Sequence, residues 1–202
     1  MKTKTITLIQ YSKVFALMFA ATFSLASCAT APPNLSNTPP ERFTVAAKKV
    51  IIADFTQEQK HGAMETINSI RFTPLPNDAT VPPFSDLVIR NLKTQFTATG
   101  GDGTDTLEIA ILNTKLFMEI HMVDYCIFIN IASAFSERKY MCRVDANFRY
   151  ADKSVRKTFE VVDVKPRYWA DLPTSDKASM VGKCVDQIVG EAHKFAVELV
   201  KN

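Results

Sequence analysis

The chain has 202 residues, 47% of them hydrophobic and 22% charged, with 24 Lys and Arg against 21 Asp and Glu. Its formal +3 is carried by Lys2, Lys4 and Lys13, and beyond residue 27 the remaining 21 basic residues balance 21 acidic ones. A neutral body has no electrostatic footprint for nucleic acid or an anionic membrane surface, and its length suits one domain with a substantial core.

Residues 1–27 have the three parts of an export signal. The three lysines come first, Val14 to Ala26 is almost wholly apolar, and small residues follow at Ala26, Ser27 and Ala29. The apolar run is 13 residues long, short of the ~20 that span a bilayer as a helix. Residues 31–40, APPNLSNTPP, hold four prolines and no charge. Such a stretch stays extended and reads as a tether, so the folded domain is expected over 42–202.

Within that domain, Phe43 to Phe55 reads as a strand centred on Val50, Ile51 and Ile52, and a weaker one is expected from Ile67 to Phe72. Pro82 and Pro83 precede Ser85, a helix N-cap candidate, with Asp86 in the favourable first turn. Leu87, Val88, Leu92 and Phe96 recur at helical spacing, with Arg90, Asn91 and Lys93 opposite, and the helix should stop before Gly100-Gly101. The loop from Gly100 to Asp105 carries two carboxylates but lacks the third acidic position and closing Glu of a calcium loop, so a plain turn is expected.

Leu107, Ile109 and Ile111 begin a long strand region reaching toward Ser133. Its stretch from Met118 to Ile131 is apolar enough to be a buried central strand, or a surface for a partner or acyl chain. Arg138 to Tyr150 and Ser154 to Val164 form a hairpin through Tyr150-Ala151-Asp152-Lys153. From Ser175 to Val200, an apolar stripe of Val181, Val185, Ile188, Ala192, Phe195 and Leu199 marks a helix, with Lys183, Asp186, Glu191, Lys194 and Glu198 outside it. The order β-α-β-β-β-α predicts an α+β fold: an antiparallel sheet of about four to five strands with two helices on one face.

Chemistry is harder to find. No Gly-x-Ser-x-Gly elbow, phosphate-binding loop, HExxH or CxxC occurs, and no metal or cofactor is implied. His61, His121 and His193 fall on a loop, a strand and the exposed side of the last helix. The mark of an enzyme would be His121 meeting Asp124 or Glu119. Arg167, Tyr168 and Trp169 are types enriched at interface hot spots and form a candidate partner contact, unless Trp169 simply caps the core.

Leu25-Ala26-Ser27-Cys28 resembles the lipobox of bacterial lipoproteins, in which the chain is cut before the cysteine and the cysteine is lipidated. The resemblance implies lipidation at Cys28, two or three acyl chains that anchor stably, and, with Ala29 rather than Asp following, the outer membrane of a Gram-negative cell. That leaves Cys126, Cys142 and Cys184 in an oxidising compartment. A Cys126–Cys142 pair is expected if the chain folds back near Ala134, the alternative being three buried thiols. Cys184 falls in the helical pattern as a core position.

The lipobox, proline-rich tether and β-α-β-β-β-α domain resemble small Gram-negative outer-membrane lipoproteins. These include the lipopolysaccharide-assembly lipoprotein and auxiliary lipoproteins of ABC-type transporters. The resemblance implies a non-catalytic adaptor or assembly factor on the periplasmic face, partnered by a barrel or transporter subunit. A lipid-binding or transport-auxiliary role and an envelope enzyme are the alternatives.

Overall fold

In a computed structural model of the chain, residues 42–56, 63–100, 105–121, 136–166 and 168–201 are described. Among the described residues four strands precede the first helix and four separate it from the second: β1 (Phe43–Val45), β2 (Lys49–Asp54), β3 (Glu65–Ile67), β4 (Ile70–Pro74), α1 (Phe84–Gln95), β5 (Phe96–Ala98), β6 (Thr106–Ile120), β7 (Arg138–Tyr150), β8 (Lys153–Lys165) and α2 (Thr174–Lys201). The main sheet runs antiparallel in the order β3-β4-β6-β7-β8, and β2 adds to β6 in parallel. The class is α+β.

β6 organises the sheet. Its first half pairs with β2 and its far end with β4, while β7 runs antiparallel along nearly all of it. The register slips between Ile111 and Asn113, so Leu112 is the extra residue of a bulge, which bends and twists a strand locally. The β7–β8 hairpin follows the sequence expectation closely. It turns through Ala151 and Asp152, with Tyr150 opposite Lys153, and Ala151 takes a positive φ of 53°.

Elsewhere the structure departs from the expected elements. The first strand is two, because the chain bends at residues 46–48; β1 leaves the main sheet to pair in parallel with β5. The weak second strand is a hairpin, β3–β4, closed by Asn68 and Ser69 at φ 50° and 66°. Two consecutive positive φ values define the I′ turn that matches strand twist. Ser85 is not the cap of α1: Pro83 holds that position without a side-chain bond, and Leu87 N–H donates to Pro83 O at 3.1 Å. The helix stops before Gly100-Gly101 as expected, but Phe96, counted in its apolar spacing, turns extended and enters β5.

Both helices cover the same face of the sheet. Leu87, Val88 and Leu92 of α1 and Met180, Val181, Cys184 and Ile188 of α2 join Leu107, Ile109, Cys142, Val144, Phe148 and Phe159 in one core. Asn91, expected outside, is buried. Its amide donates to Leu87 O at 2.7 Å and accepts from Gln95 Nε2 at 2.9 Å, so both polar side chains are satisfied inside the helix. Phe195 of the predicted stripe is only half-buried, with its ring 5.0 Å from that of Phe148.

The other sheet face carries a smaller cluster: Phe72, Phe117 and Met141, flanked by Ile67 and Ile70. Charged side chains seal it. Glu65 bonds Lys115 Nζ at 2.8 Å and Arg143 Nη1 at 2.5 Å, and Arg143 Nε reaches Glu160 at 2.7 Å. Both cations lie over the Phe117 ring, 5.7 and 5.4 Å from its centroid.

Candidate functional site

One end of the sheet gathers most of the unusual side chains. There β6 ends, β7 and β8 have adjoining termini, and a connection through a 3₁₀ turn at Trp169–Asp171 leads into α2. Arg138, the first residue of β7, is fully buried, as is Tyr140, and Lys177 on the first turns of α2 is 2% exposed. Two buried cations need compensation, and aromatic rings supply part of it. The Arg138 guanidinium sits 4.0 Å from the Tyr168 ring centroid and Lys177 Nζ 5.5 Å from that of Trp169. Arg138 Nη1 also donates to Glu119 O at 3.5 Å.

The electrostatics follow from this burial. Desolvation pushes the Lys177 ammonium below its ordinary range, and Asp171 only partly opposes it. Burial likewise drives the Tyr140 phenol up; Asp171 and Tyr168 push the same way and Arg138 against. The Tyr140 ring lies 5.9 Å from that of Trp169. The cluster pins the β8–α2 connection onto the sheet end. The sequence pattern does not mark this cluster: Arg138 and Lys177 lie at the ends of elements, where lysine and arginine are ordinarily solvated.

Of the proposed partner contact, Trp169 is 9% exposed, with its backbone N–H donating to Met118 Sδ at 3.5 Å. It caps the core, the alternative the residue types left open. Tyr168 is half-buried over Arg138, and Arg167 lies outside the described residues.

Beside this cluster, His121 stands between a carboxylate and a hydroxyl. Its Nε2 lies 3.4 Å from Glu119 Oε1 and its Nδ1 3.5 Å from Ser136 Oγ. Glu119 is held by the Lys139 N–H, which donates to Oε2 at 2.9 Å. A working base and nucleophile stand about 2.6–3.2 Å apart, and both contacts here are longer. His193 does not join them. His61 and Asp124 lie outside the described residues. His193, expected on the exposed side of the last helix, is half-buried against Phe43 of β1 and Phe96 of β5. Its ring stacks on Phe43 at 4.6 Å, and Nε2 is 3.1 Å from Thr44 O. Among the described residues no His, Cys, Asp and Glu group is arranged to hold a metal.

The cysteine pairing is corrected. Cys142 bonds to Cys184, not to Cys126, with Cα atoms 6.2 Å apart. Strand alternation aims Cys142 at the helix-covered face together with Tyr140 and Val144, and the α2 stripe presents Cys184 to the same layer. Both are fully buried. Cys126 and Cys28 lie outside the described residues. A small cavity of about 10 Å³ lies at the start of α1, lined by Thr80, Phe84, Ser85 and Thr114 among others. It has room for one water but not an acyl chain.

No family model matches the chain, and no curated protein matches it. Twelve solved chains are similar. One, described as the crystal structure of an uncharacterized protein, is 10% identical with a TM-score of 0.35, over 83% of this chain and 99% of its own. So loose an overlap carries no role across.

Proposed function

We propose that the protein is a lipid-anchored envelope lipoprotein, held through Cys28 at the periplasmic face of the outer membrane and acting there as a non-catalytic adaptor or assembly factor. The observation that carries the reading is the Cys142–Cys184 bond between β7 and α2. Reducing cytosol does not maintain such a bond, whereas an exported domain keeps it. That supports the export signal and lipobox of residues 1–28, and residues 28–41 then serve as a spacer between the lipid and the domain. The adaptor role rests on the resemblance to small outer-membrane lipoproteins and on the absence of a recognisable catalytic motif in the sequence.

The test is Cys28→Ala in cells fed labelled palmitate. The native chain should take up label and float with outer membranes; the variant should do neither. Outer-membrane fractionation of the unlabelled variant would refute the anchor. Capture of the tagged native chain from gently solubilised envelopes should bring down one stoichiometric barrel or transporter subunit that the variant loses. Without such a subunit, the adaptor role fails while the anchor stands.

The Ser136–His121–Glu119 arrangement supports a second reading, an envelope hydrolase with Ser136 as nucleophile. Labelling of Ser136 by a fluorophosphonate, lost in Ser136→Ala and in His121→Ala, would favour it over the adaptor. An unlabelled native chain would remove it.

A further inference from the structure

From the far edge of the main sheet, we propose that two copies of this chain pair antiparallel through β8, with Thr158 on the two-fold axis. β8 is 13 residues long and ends the strand order, with β7 its partner among the described residues. A strand edge of that length offers a row of N–H and C=O groups to another strand. Its solvent-facing side chains include Val162 and Val164, 53% and 44% exposed.

The charge order names the occupant. Lys153, Arg156 and Lys157 lie in the first half of β8, and Glu160 and Asp163 in the second, ahead of a closing Lys165 that lies 3.4 Å from Asp163. An antiparallel copy of the same strand presents the opposite order. With Thr158 facing Thr158 of the second copy, Arg156 stands opposite Glu160 and Lys153 opposite Asp163, each pair occurring twice. Val155 meets Val161 and Ser154 meets Val162. Directly opposed side chains in an antiparallel pair share a face, and opposite charges there stabilise the pairing.

Neighbouring registers lose this match. Centring the axis on Phe159 puts Lys153 against Lys165 and Arg156 against Val162. Centring it on Lys157 leaves Arg156 against Thr158 and Lys153 against Val161. The charges are also already oriented on each chain. Arg156 lies 3.6 Å from Asp145, and Glu160 accepts from Arg143, so the pairs across the axis extend two existing networks. Lys157, which could guard the edge, folds back to place its Nζ 5.7 Å from the Phe195 ring centroid. An isologous contact of this kind closes on itself as a dimer.

The test uses the full chain purified in detergent, with single cysteines introduced on the exposed face and mild copper–phenanthroline oxidation. The unsubstituted chain supplies the baseline. Thr158→Cys should crosslink to a covalent dimer at least tenfold faster than Val162→Cys. In this register the two Val162 positions lie eight residues apart along the strand, about 27 Å. Equal crosslinking at both positions, or none above baseline, overturns the proposal.

Thr158→Lys supplies an independent reading in detergent-matched sedimentation. Within one chain Thr158 Oγ1 donates to the Asp145 carboxylate at 2.5 Å, a partner a lysine keeps, so the monomer should stay folded by circular dichroism. Across the axis two lysines would face each other, and dimer affinity should fall by tenfold or more. A native chain that sediments as a monomer at every concentration, or a variant that dimerises as the native chain does, overturns the proposal.

Discussion

The two faces of the main sheet bury aromatic side chains equally well by different means. On the helix-covered face, Phe148 is fully buried among Phe159, Phe195 and the α2 stripe. On the opposite face, Phe117 is equally buried, but beneath the β3–β4 hairpin and two cations tied to Glu65. The first arrangement relies on apolar packing and a covalent bond. The second relies on charged side chains whose stems cover apolar surface while their heads stay hydrated. The difference predicts how each face responds to mutation, reductant and acid.

The largest effect belongs to the helix-covered face. Phe148→Ala should cost about 4 kcal/mol in urea unfolding, the range for emptying a packed aromatic site. Loss of the disulfide should come close behind. The bond closes a separation of 42 residues, for which the chain-entropy relation gives about 4 kcal/mol as a ceiling. Reductant, or the double change Cys142→Ala/Cys184→Ala, should therefore lower the urea midpoint sharply. Insensitivity to reductant would place the stability of that face in packing alone.

Phe117→Ala should cost less, about 3 kcal/mol, because the hairpin and the long cationic chains above it can settle into the space. A cost equal to that of Phe148→Ala would erase the distinction between the faces. Trp169→Ala belongs with this middle class, at about 3 kcal/mol. A near-neutral effect would return Trp169 to the role of partner contact.

Glu65 sharpens the contrast through pH. Its partial burial works to raise the carboxyl, but the bonds and charges of Lys115 and Arg143 outweigh it and hold the group below its ordinary 4.5. A carboxylate depressed in the folded state contributes fully above the unfolded value and loses that contribution as pH falls through the folded one. Glu65→Gln should thus cost about 1 kcal/mol at pH 7, with the gap to the native chain shrinking below pH 4.5. A gap independent of pH would show that the ion pairs do not hold the hairpin. The smallest change should be a gain: Ala151→Gly relieves the positive φ of 53° in the β7–β8 turn and should raise stability by about 0.5–1 kcal/mol. A loss there would mean the alanine geometry is unstrained.

Legibility along the chain followed the range of the interactions. The β7–β8 hairpin and α2 were read almost to the residue, since alternation and helical spacing are local signals repeated over 13 and 28 residues. The β3–β4 hairpin was missed because Asn68-Ser69 is a weak turn signal and each strand is short. The division of the first strand depends on β5, about fifty residues away. The candidate site was the least legible part. Of its aromatic and cationic cluster, Tyr168 and Trp169 stood out by type, whereas nothing in the local sequence marks Arg138 or Lys177 as buried. Cys184 was placed in the core, but its bond was not foreseen.

The sequence by itself determined the α+β class, the two amphipathic or alternating elements that end the chain, and a body whose charges cancel. These depend on periodicity and composition, which each segment carries alone. Tertiary structure decided that Cys142 meets Cys184, that Arg138 and Lys177 are buried against aromatic rings, and that His121 stands between Glu119 and Ser136. Each of these joins groups on separate elements or beside a separate strand, and sequence spacing has no information about such distances until register and packing bring the elements together.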